Sequence, residues 1–191
     1  MLIHDANGFS LVELMISVVI MGVLLALGLP AFNTYIENTR LRNAAEVFLS
    51  AAESAKGNAA SRNTQVEVIL TGTTDRANLA TAVASTTGAG WMVRTVDRVT
   101  YIEGRNLIEG GRGSQTAATV TGTVGGVTFT PLGGTTLAAN ATFAFTNPVG
   151  GSCVSAAPAG PMRCLNVTVS TTGRIKMCDP ATVSPDTRAC N

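Results

Sequence analysis

The pattern of apolar and polar residues divides the chain into three parts. From Phe9 to Leu29 the residues are almost continuously apolar, and Glu13 is the single charge among them. About 20 apolar residues suffice for a helix to cross a bilayer, so residues 9–30 are predicted to form a membrane-spanning helix. Pro30 follows the run and is predicted to kink or locally relax the helix, because proline removes a backbone hydrogen bond.

The second part continues the helix with apolar residues on one face only. These residues recur three and four positions apart, as on one side of an α-helix: Leu41, Ala44, Ala45, Phe48, Leu49 and Ala52. Arg40, Arg42, Glu46 and Glu53 lie largely off this face. The pattern predicts an amphipathic helix over residues 31–62 that packs on a globular domain.

The third part, residues 63–191, alternates with period two, as β-strands do. The predicted strands are Gln65–Leu70, Trp91–Val96, Val99–Glu103, Thr119–Val124, Val127–Thr130, Ala141–Thr146, Cys164–Ser170 and Arg174–Met177. Gly125-Gly126 and Gly133-Gly134 are predicted hairpin turns, and the short spacing favours antiparallel pairing. Thr71–Gly90 is predicted to be a surface loop with a helical turn around Ala77–Val83. The fold class is therefore predicted to be α+β, a long N-terminal helix packed on antiparallel sheet.

All four cysteines lie in the last quarter of the chain: Cys153, Cys164, Cys178 and Cys190. Without a C-x-x-C pair they fit two disulfides better than a zinc site, and disulfides imply an oxidising compartment. Four cysteines allow three connectivities. Sequential pairing, Cys153–Cys164 and Cys178–Cys190, is favoured because each bond closes a short loop.

The start of the chain carries a processing motif. A polar leader, MLIHDANG, precedes the apolar run, and Gly8-Phe9-Ser10-Leu11-Val12-Glu13-Leu14 resembles the type IV prepilin signal G-F-[ST]-L-x-E. The resemblance implies that residues 1–8 are a leader removed after Gly8 by prepilin peptidase, and that Phe9 is N-methylated. It also implies that Glu13 neutralises the Phe9 amino group of a neighbouring subunit during assembly. From the residues alone, the alternative is that Glu13 lies at the membrane interface near the helix start.

Later motifs, in order, resemble the GspH/FimT group of pilin-like proteins: Gly90-Trp91-Met92-Val93, Val127–Gly133, Leu165–Ser170 and Thr172–Lys176. The resemblance implies a pilin-like fold, a single-pass anchor in the bacterial inner membrane, a periplasmic domain, and assembly with other minor pilins or pseudopilins. Residues 9–30 then form the membrane or filament-core half of the helix, and the subunit ends at a pilus or pseudopilus tip.

Three functional hypotheses follow. A FimT/FimU-like minor pilin that takes part in pilus assembly is favoured by the paired cysteines and the G-R-I-K-M-C-D-P tail. A GspH-like minor pseudopilin of a type II secretion system is the alternative. An unrelated single-pass membrane protein would require that prepilin peptidase fail to cut at Gly8.

A basic segment near the C-terminus adds a DNA-binding hypothesis. In a strand, Arg174 and Lys176 project from the same face, where they can neutralise backbone phosphates. In FimT-type minor pilins a G-R-x-[RK] segment is associated with capture of double-stranded DNA during natural transformation, so the resemblance implies this role for Arg174 and Lys176. Arg163 and Arg188 join them as neighbours in sequence. The alternative is that charges on an edge strand discourage strand-to-strand aggregation.

Enzymatic chemistry is not predicted. The single histidine, His4, lies in the leader, so the mature chain lacks the base of the common histidine-dependent hydrolases. Carboxylates such as Asp97 and Glu103 are not clustered for acid–base work. The net charge of +1 indicates no global preference for polyanions. No cofactor and no metal are predicted.

Overall fold

A long helix organises the molecule. The computed structural model describes residues 10–88, 90–107 and 118–190, without the side chains of 27–31. Helix α1 spans Leu11–Arg62 and continues through Pro30. The side chain of Ser10 caps its start by accepting a hydrogen bond from the Val12 amide at 3.2 Å. Asn63, in the left-handed conformation, ends it by donating its amide to the carbonyls of Ala59 and Ala60.

The second half of α1 packs on β-sheet through the face predicted from its spacing. Leu41, Ala45, Phe48 and Ala52 are fully buried. The Phe48 ring contacts three aromatic rings on two strands, with centroid distances of 6.5 Å to Trp91, 4.9 Å to Phe143 and 5.5 Å to Phe145. The small alanines on either side of Phe48 let the sheet approach closely.

Two antiparallel sheets pack against α1. Within the described residues the strands are β1 (Val66–Thr71), β2 (Thr87–Gly88), β3 (Gly90–Thr95), β4 (Tyr101–Asn106), β5 (Thr119–Gly122), β6 (Gly126–Phe129), β7 (Ala141–Thr146), β8 (Leu165–Val169) and β9 (Ile175–Cys178). One sheet has the order β4-β3-β1-β6, and the other the order β2-β5-β7-β8-β9. The predicted α+β fold, a long helix on antiparallel sheet, is confirmed.

The prediction of a hairpin at Gly125-Gly126 is wrong. Strand β5 lies in one sheet and β6 in the other, so this segment crosses between the sheets. Gly126 pairs with Ile69 of β1, and a Cβ atom there would lie 2.6 Å from the Val68 carbonyl oxygen. The glycine serves close approach of two backbones rather than a tight turn.

The prediction of a turn at Gly133-Gly134 is confirmed. The Gly133 amide donates to the Thr130 carbonyl at 2.9 Å, and the Thr130 amide donates to the Gly134 carbonyl at 2.9 Å. Gly133 has φ +84°, a conformation that side chains disfavour. Phe129 and Thr135 pair across the turn.

A buried arginine holds the connection between β1 and β3. Arg94 pairs with Glu67 (Nε to Oε1, 2.7 Å) and donates to the carbonyls of Leu79 and Ala82. The predicted helical turn of this segment is a short 3₁₀ helix, Arg76–Asn78. These bonds fasten an otherwise irregular loop to the sheet.

Candidate functional site

The first half of α1 is an exposed apolar rod. Its large apolar side chains between Leu11 and Leu25 are each between 54% and 75% exposed. Glu13 lies in the first turn, where an acidic side chain is favourable beside the positive end of the helix dipole, and it too is exposed. Gly8 and Phe9, the predicted cleavage and methylation residues, lie outside the described residues.

Among the residues that the structure describes, no helical segment is both long and apolar enough to span a bilayer.

Arg174 lies one residue before β9, beside α1. The turn from Ser170 to Gly173 presents it: the Arg174 amide donates to Ser170 Oγ at 3.0 Å, and Gly173 has φ +79°. Its exposed side chain lines a cavity of about 690 Å³. We call this space the lysine cavity; it is lined by Glu53, Lys56, Gly57, Ala60, Pro131, Leu132, Gly133, Thr172, Gly173, Arg174 and Ile175.

Lys56 connects the helix to that turn. Its Nζ donates to the Gly173 carbonyl at 2.9 Å. Gly173 packs directly on Gly133, and a Cβ atom at Gly173 would collide with the Gly133 carbonyl oxygen. The helix and the two turns therefore form one rigid corner beside Arg174.

Lys176 is engaged within the molecule. It lies in β9 opposite Thr168, and its Nζ donates to the Ala189 carbonyl at 2.8 Å. Its ammonium group thus fastens the C-terminal tail to the outer face of the sheet. Lys176 and Arg174 are two residues apart, as predicted, but only Arg174 is exposed.

Arg163 and Arg188 meet at a second space, of about 500 Å³. We call it the arginine groove; it is lined by Tyr35, Asn38, Thr39, Arg42, Arg163, Leu165, Met177, Cys178, Asp179 and Arg188. Helix α1 supplies its first four residues. The four predicted basic residues therefore do not form one stripe: Arg174 lines the lysine cavity, while Arg163 and Arg188 line the arginine groove.

Carboxylates neutralise some of these charges. Arg188 pairs with Asp186 at 2.7 Å, and hydrogen bonds from Arg188 lower the pKa of Asp186 from 3.8 to about 2. The same side-chain bond raises the pKa of Arg188. Arg42 pairs with Glu46 at 2.8 Å. Within the described part of the chain, Arg163 and Arg174 have no ion pair.

Two disulfides hold the segments that carry these residues. Cys153 is bonded to Cys164 and Cys178 to Cys190, the sequential pairing favoured from the sequence. The first bond adjoins Arg163, and the second fixes the tail that carries Arg188. Within the described ranges, no three His, Cys, Asp or Glu residues are placed to hold a metal ion.

Sequence reasoning missed the helical residues that complete both spaces. Tyr35, Arg42, Leu49 and Lys56 are seven residues apart, so they follow nearly one line along α1. Tyr35 and Arg42 line the arginine groove and Lys56 lines the lysine cavity. The seven-residue spacing is visible in the sequence, but nothing in it shows that β9 lies alongside.

Family models match two parts of the chain. A model for the prokaryotic N-terminal methylation motif matches residues 3–29, and the model for the type II transport protein GspH matches residues 44–173. The second match covers more than half of the chain. The chain belongs to the GspH family. It is thus a pilin- or pseudopilin-type protein, of a family of membrane-anchored structural subunits that assemble with other pilins.

One curated protein and several solved structures are similar to this chain. Fimbrial protein Q of Moraxella bovis is 35% identical over 107 residues, which cover 47% of this chain and 68% of that protein. The type IV minor pilin FimU of Pseudomonas aeruginosa, in two crystal forms, aligns with TM-scores of 0.54 and 0.51. The identities are 16% and 14%, over 80% and 76% of this chain and 98% of FimU in each. These structures establish the pilin-like fold.

A solution structure of GspH from Escherichia coli also aligns, with a TM-score of 0.41 and 15% identity over 79% of this chain and 93% of that one.

Proposed function

We propose that this chain is a FimT/FimU-like minor pilin that takes part in assembly of a type IV pilus at the filament tip. The observation that carries the proposal is the division of α1. Its second half is buried in the domain, while its first half exposes an apolar surface with one carboxylate, Glu13. The 35% identity to a protein named as fimbrial supports a pilus over a secretion pseudopilus.

The proposed mechanism is anchoring followed by helix association. Prepilin peptidase removes residues 1–8, Phe9 is methylated, and residues 9–30 hold the subunit in the inner membrane with its domain in the periplasm. A carboxylate among apolar side chains is unfavourable unless it is paired. Glu13 therefore pairs with the Phe9 amino group of a neighbouring subunit when the helices bundle in the filament.

Gene deletion in the chain's own host tests the proposal. Surface pili are counted by electron microscopy, and secreted proteins are measured in the same cultures. We expect deletion to remove pili, Glu13→Gln to fail to restore them, and Glu53→Gln, an exposed carboxylate farther along α1, to restore them fully. Normal pili with lost secretion would instead assign the chain to a type II secretion system, as a GspH-like pseudopilin.

DNA binding is a second candidate function, and one observation favours it. Arg163 and Arg174 are exposed and, among the described residues, lack carboxylate partners, so they are free to contact phosphates. Arg188 already pairs with Asp186 and Lys176 with a backbone carbonyl. We therefore expect Arg163 and Arg174 to contribute more to DNA binding than the other two predicted residues.

A salt titration tests DNA binding. The full chain in neutral detergent micelles is titrated with duplex DNA at several salt concentrations, beside Arg163→Gln/Arg174→Gln and the matched control Arg62→Gln. Loss of two phosphate contacts is expected to lower the salt slope by about 2, while Arg62→Gln leaves it unchanged. Equal salt slopes for all three proteins would mean that Arg163 and Arg174 do not contact DNA phosphates.

A further inference from the structure

The arginine groove lies at the end of the domain nearest the apolar half of α1. Asn38 marks this contact: its Nδ2 donates to the Pro161 carbonyl at 3.4 Å, and its Oδ1 accepts from the Arg163 amide at 2.7 Å. Toward the N-terminus, the large apolar side chains from Leu11 to Leu25 are exposed. The groove is thus the basic part of the domain that directly follows the segment proposed to lie in the membrane.

Helix geometry places the Tyr35 end of the groove near the membrane surface. A hydrocarbon layer of about 30 Å takes about 20 residues, which a helix beginning at Leu11 completes near residue 30. Tyr35 then lies about 7 Å farther along the axis, at the depth of the lipid headgroups. Phe32 and Tyr35 are 60% and 69% exposed, and aromatic side chains are typical of that interface.

The groove has the mixed chemistry of a phospholipid headgroup site. Arg42, Arg163 and Arg188 line it together with the apolar residues Leu165 and Met177. Guanidinium groups bind phosphate oxygens in pairs of hydrogen bonds. The apolar residues suit the first carbons of the acyl chains.

The described carboxylates near the groove pair with two of its arginines and leave Arg163 unpaired. Glu46 and Asp186 pair with Arg42 and Arg188, but both pairs are exposed to solvent, and exposed pairs are weak enough to exchange partners. Asp179, which also lines the groove, is buried; its Oδ1 accepts the Ala181 amide at 2.8 Å, and its charge attracts Arg188. Arg163 has no carboxylate partner among the described residues.

We propose that the arginine groove binds the phosphate headgroup of an anionic phospholipid, and that it holds the domain against the membrane before the subunit enters a filament. The inference rests on the proposed membrane anchor. It adds a ligand class, an anionic glycerophospholipid, and a site on the folded domain that is separate from the apolar helix.

Lipid retention tests the proposal. The full chain in neutral detergent micelles is mixed with equal amounts of dioctanoyl phosphatidylglycerol and dioctanoyl phosphatidylcholine, and bound lipid is counted by native mass spectrometry. The variant is Arg42→Gln/Arg163→Gln, and the matched control is Arg62→Gln/Arg174→Gln, which removes two exposed arginines outside the groove. Circular dichroism checks that each protein stays folded.

We expect the wild type and the control to retain phosphatidylglycerol in preference to phosphatidylcholine. Loss of two arginines near an anionic headgroup is expected to weaken phosphatidylglycerol binding about 30-fold. Equal retention of the two lipids by the wild type would overturn the proposal, as would equal losses in variant and control. Displacement of the lipid by a short DNA duplex at lower concentration would instead make the groove a nucleic-acid site.

A second arm separates this proposal from the anchor. Flotation of the full chain with vesicles of phosphatidylcholine alone measures insertion of the helix without any anionic headgroup. Failure to float would contradict the membrane anchor, whereas flotation with no preference for phosphatidylglycerol in micelles would contradict only the groove.

Discussion

The two halves of α1 belong to one helix but have opposite environments. Between Leu41 and Ala59 the apolar face is covered by two sheets, and Phe48 lies at its centre. Between Leu11 and Leu25 apolar side chains are exposed all around the axis. A helix that is apolar on every side requires a partner on every side. The second half therefore contributes to the stability of the domain, and the proposed function assigns the exposed first half to the membrane or to other subunits.

The largest difference between the halves is expected on truncation of a core side chain. Phe48→Ala removes a fully buried ring that contacts three other aromatic rings. It is expected to lower the free energy of unfolding by about 3–5 kcal/mol. Urea unfolding of the full chain in neutral detergent measures it. Val19→Ala, in the exposed half, is the control and is expected to change stability by no more than about 0.5 kcal/mol; equal losses would erase the distinction between the halves.

A smaller effect is expected at the junction between the halves. Asn147 is fully buried; its Nδ2 donates to Glu37 Oε2 at 2.7 Å, and its Oδ1 accepts the amides of Val149 and Gly150. Asn147→Ala leaves these groups without their partner and is expected to destabilise the protein by about 1–3 kcal/mol. The same urea experiment measures it. Glu37→Gln retains an oxygen that can accept from Asn147, so it is expected to lower the free energy of unfolding less than Asn147→Ala does. A larger loss for Glu37→Gln would mean that the bonds of Asn147 are not the main stabilising contact at this junction.

Lys56 offers a finer test at the far end of the buried half. Lys56→Met keeps the aliphatic chain but removes the donor to the Gly173 carbonyl. The expected loss is about 1 kcal/mol, typical of a hydrogen bond that is partly exposed. Thermal unfolding followed by circular dichroism measures it, beside Arg62→Met, whose side chain bonds, among the described residues, to Asn58 of its own helix. If Arg62→Met proves as damaging, the bond to the turn is not what Lys56 contributes.

The smallest effect is expected at the exposed pair of Asp186 and Arg188. The pKa of Asp186 is lowered from 3.8 to about 2, first by the side-chain hydrogen bond from Arg188. Because the folded pKa is the lower one, the stabilisation is present above about pH 4 and is lost as pH falls through about 2. Titration of the carboxyl carbon by nuclear magnetic resonance should show the pKa returning toward 3.8 in Arg188→Gln. An unchanged pKa in that variant would mean that backbone amides, not Arg188, hold it down.

Local chemistry predicted the elements of this fold well. The alternation in Ala141–Thr146 predicted β7 with its observed bounds, and the apolar spacing from Leu41 to Ala52 predicted the buried face of α1. The prediction that failed depended on tertiary structure. Gly125-Gly126 has the composition of a hairpin turn, yet it joins strands of two different sheets. The two-residue strand β2 is too short for any alternation to reveal it.

The candidate site was predictable only in part, for a related reason. Arg174 and Lys176 share a spacing, but the environment of each depends on distant residues. The C-terminal tail engages Lys176, and α1 places Lys56 beside Arg174. Arg42 and Arg163 are 121 positions apart, and only the packing of the Pro161–Arg163 segment on Asn38 brings them to one groove. The disulfides were predictable because each closes a short local loop.

The continuity of α1 fixes the rotation of the domain about the helix axis relative to the apolar half of the helix. Its backbone is helical from Leu11 to Arg62, so the buried half cannot turn about the axis without turning the apolar half by the same angle. Each added residue between the halves would rotate the domain by about 100° and raise it by about 1.5 Å. Seven added residues would restore the rotation to within about 20° while raising the domain by about 10 Å. Insertions near Pro30 can therefore change the distance of the domain from the apolar half while its rotation about the helix axis stays nearly constant.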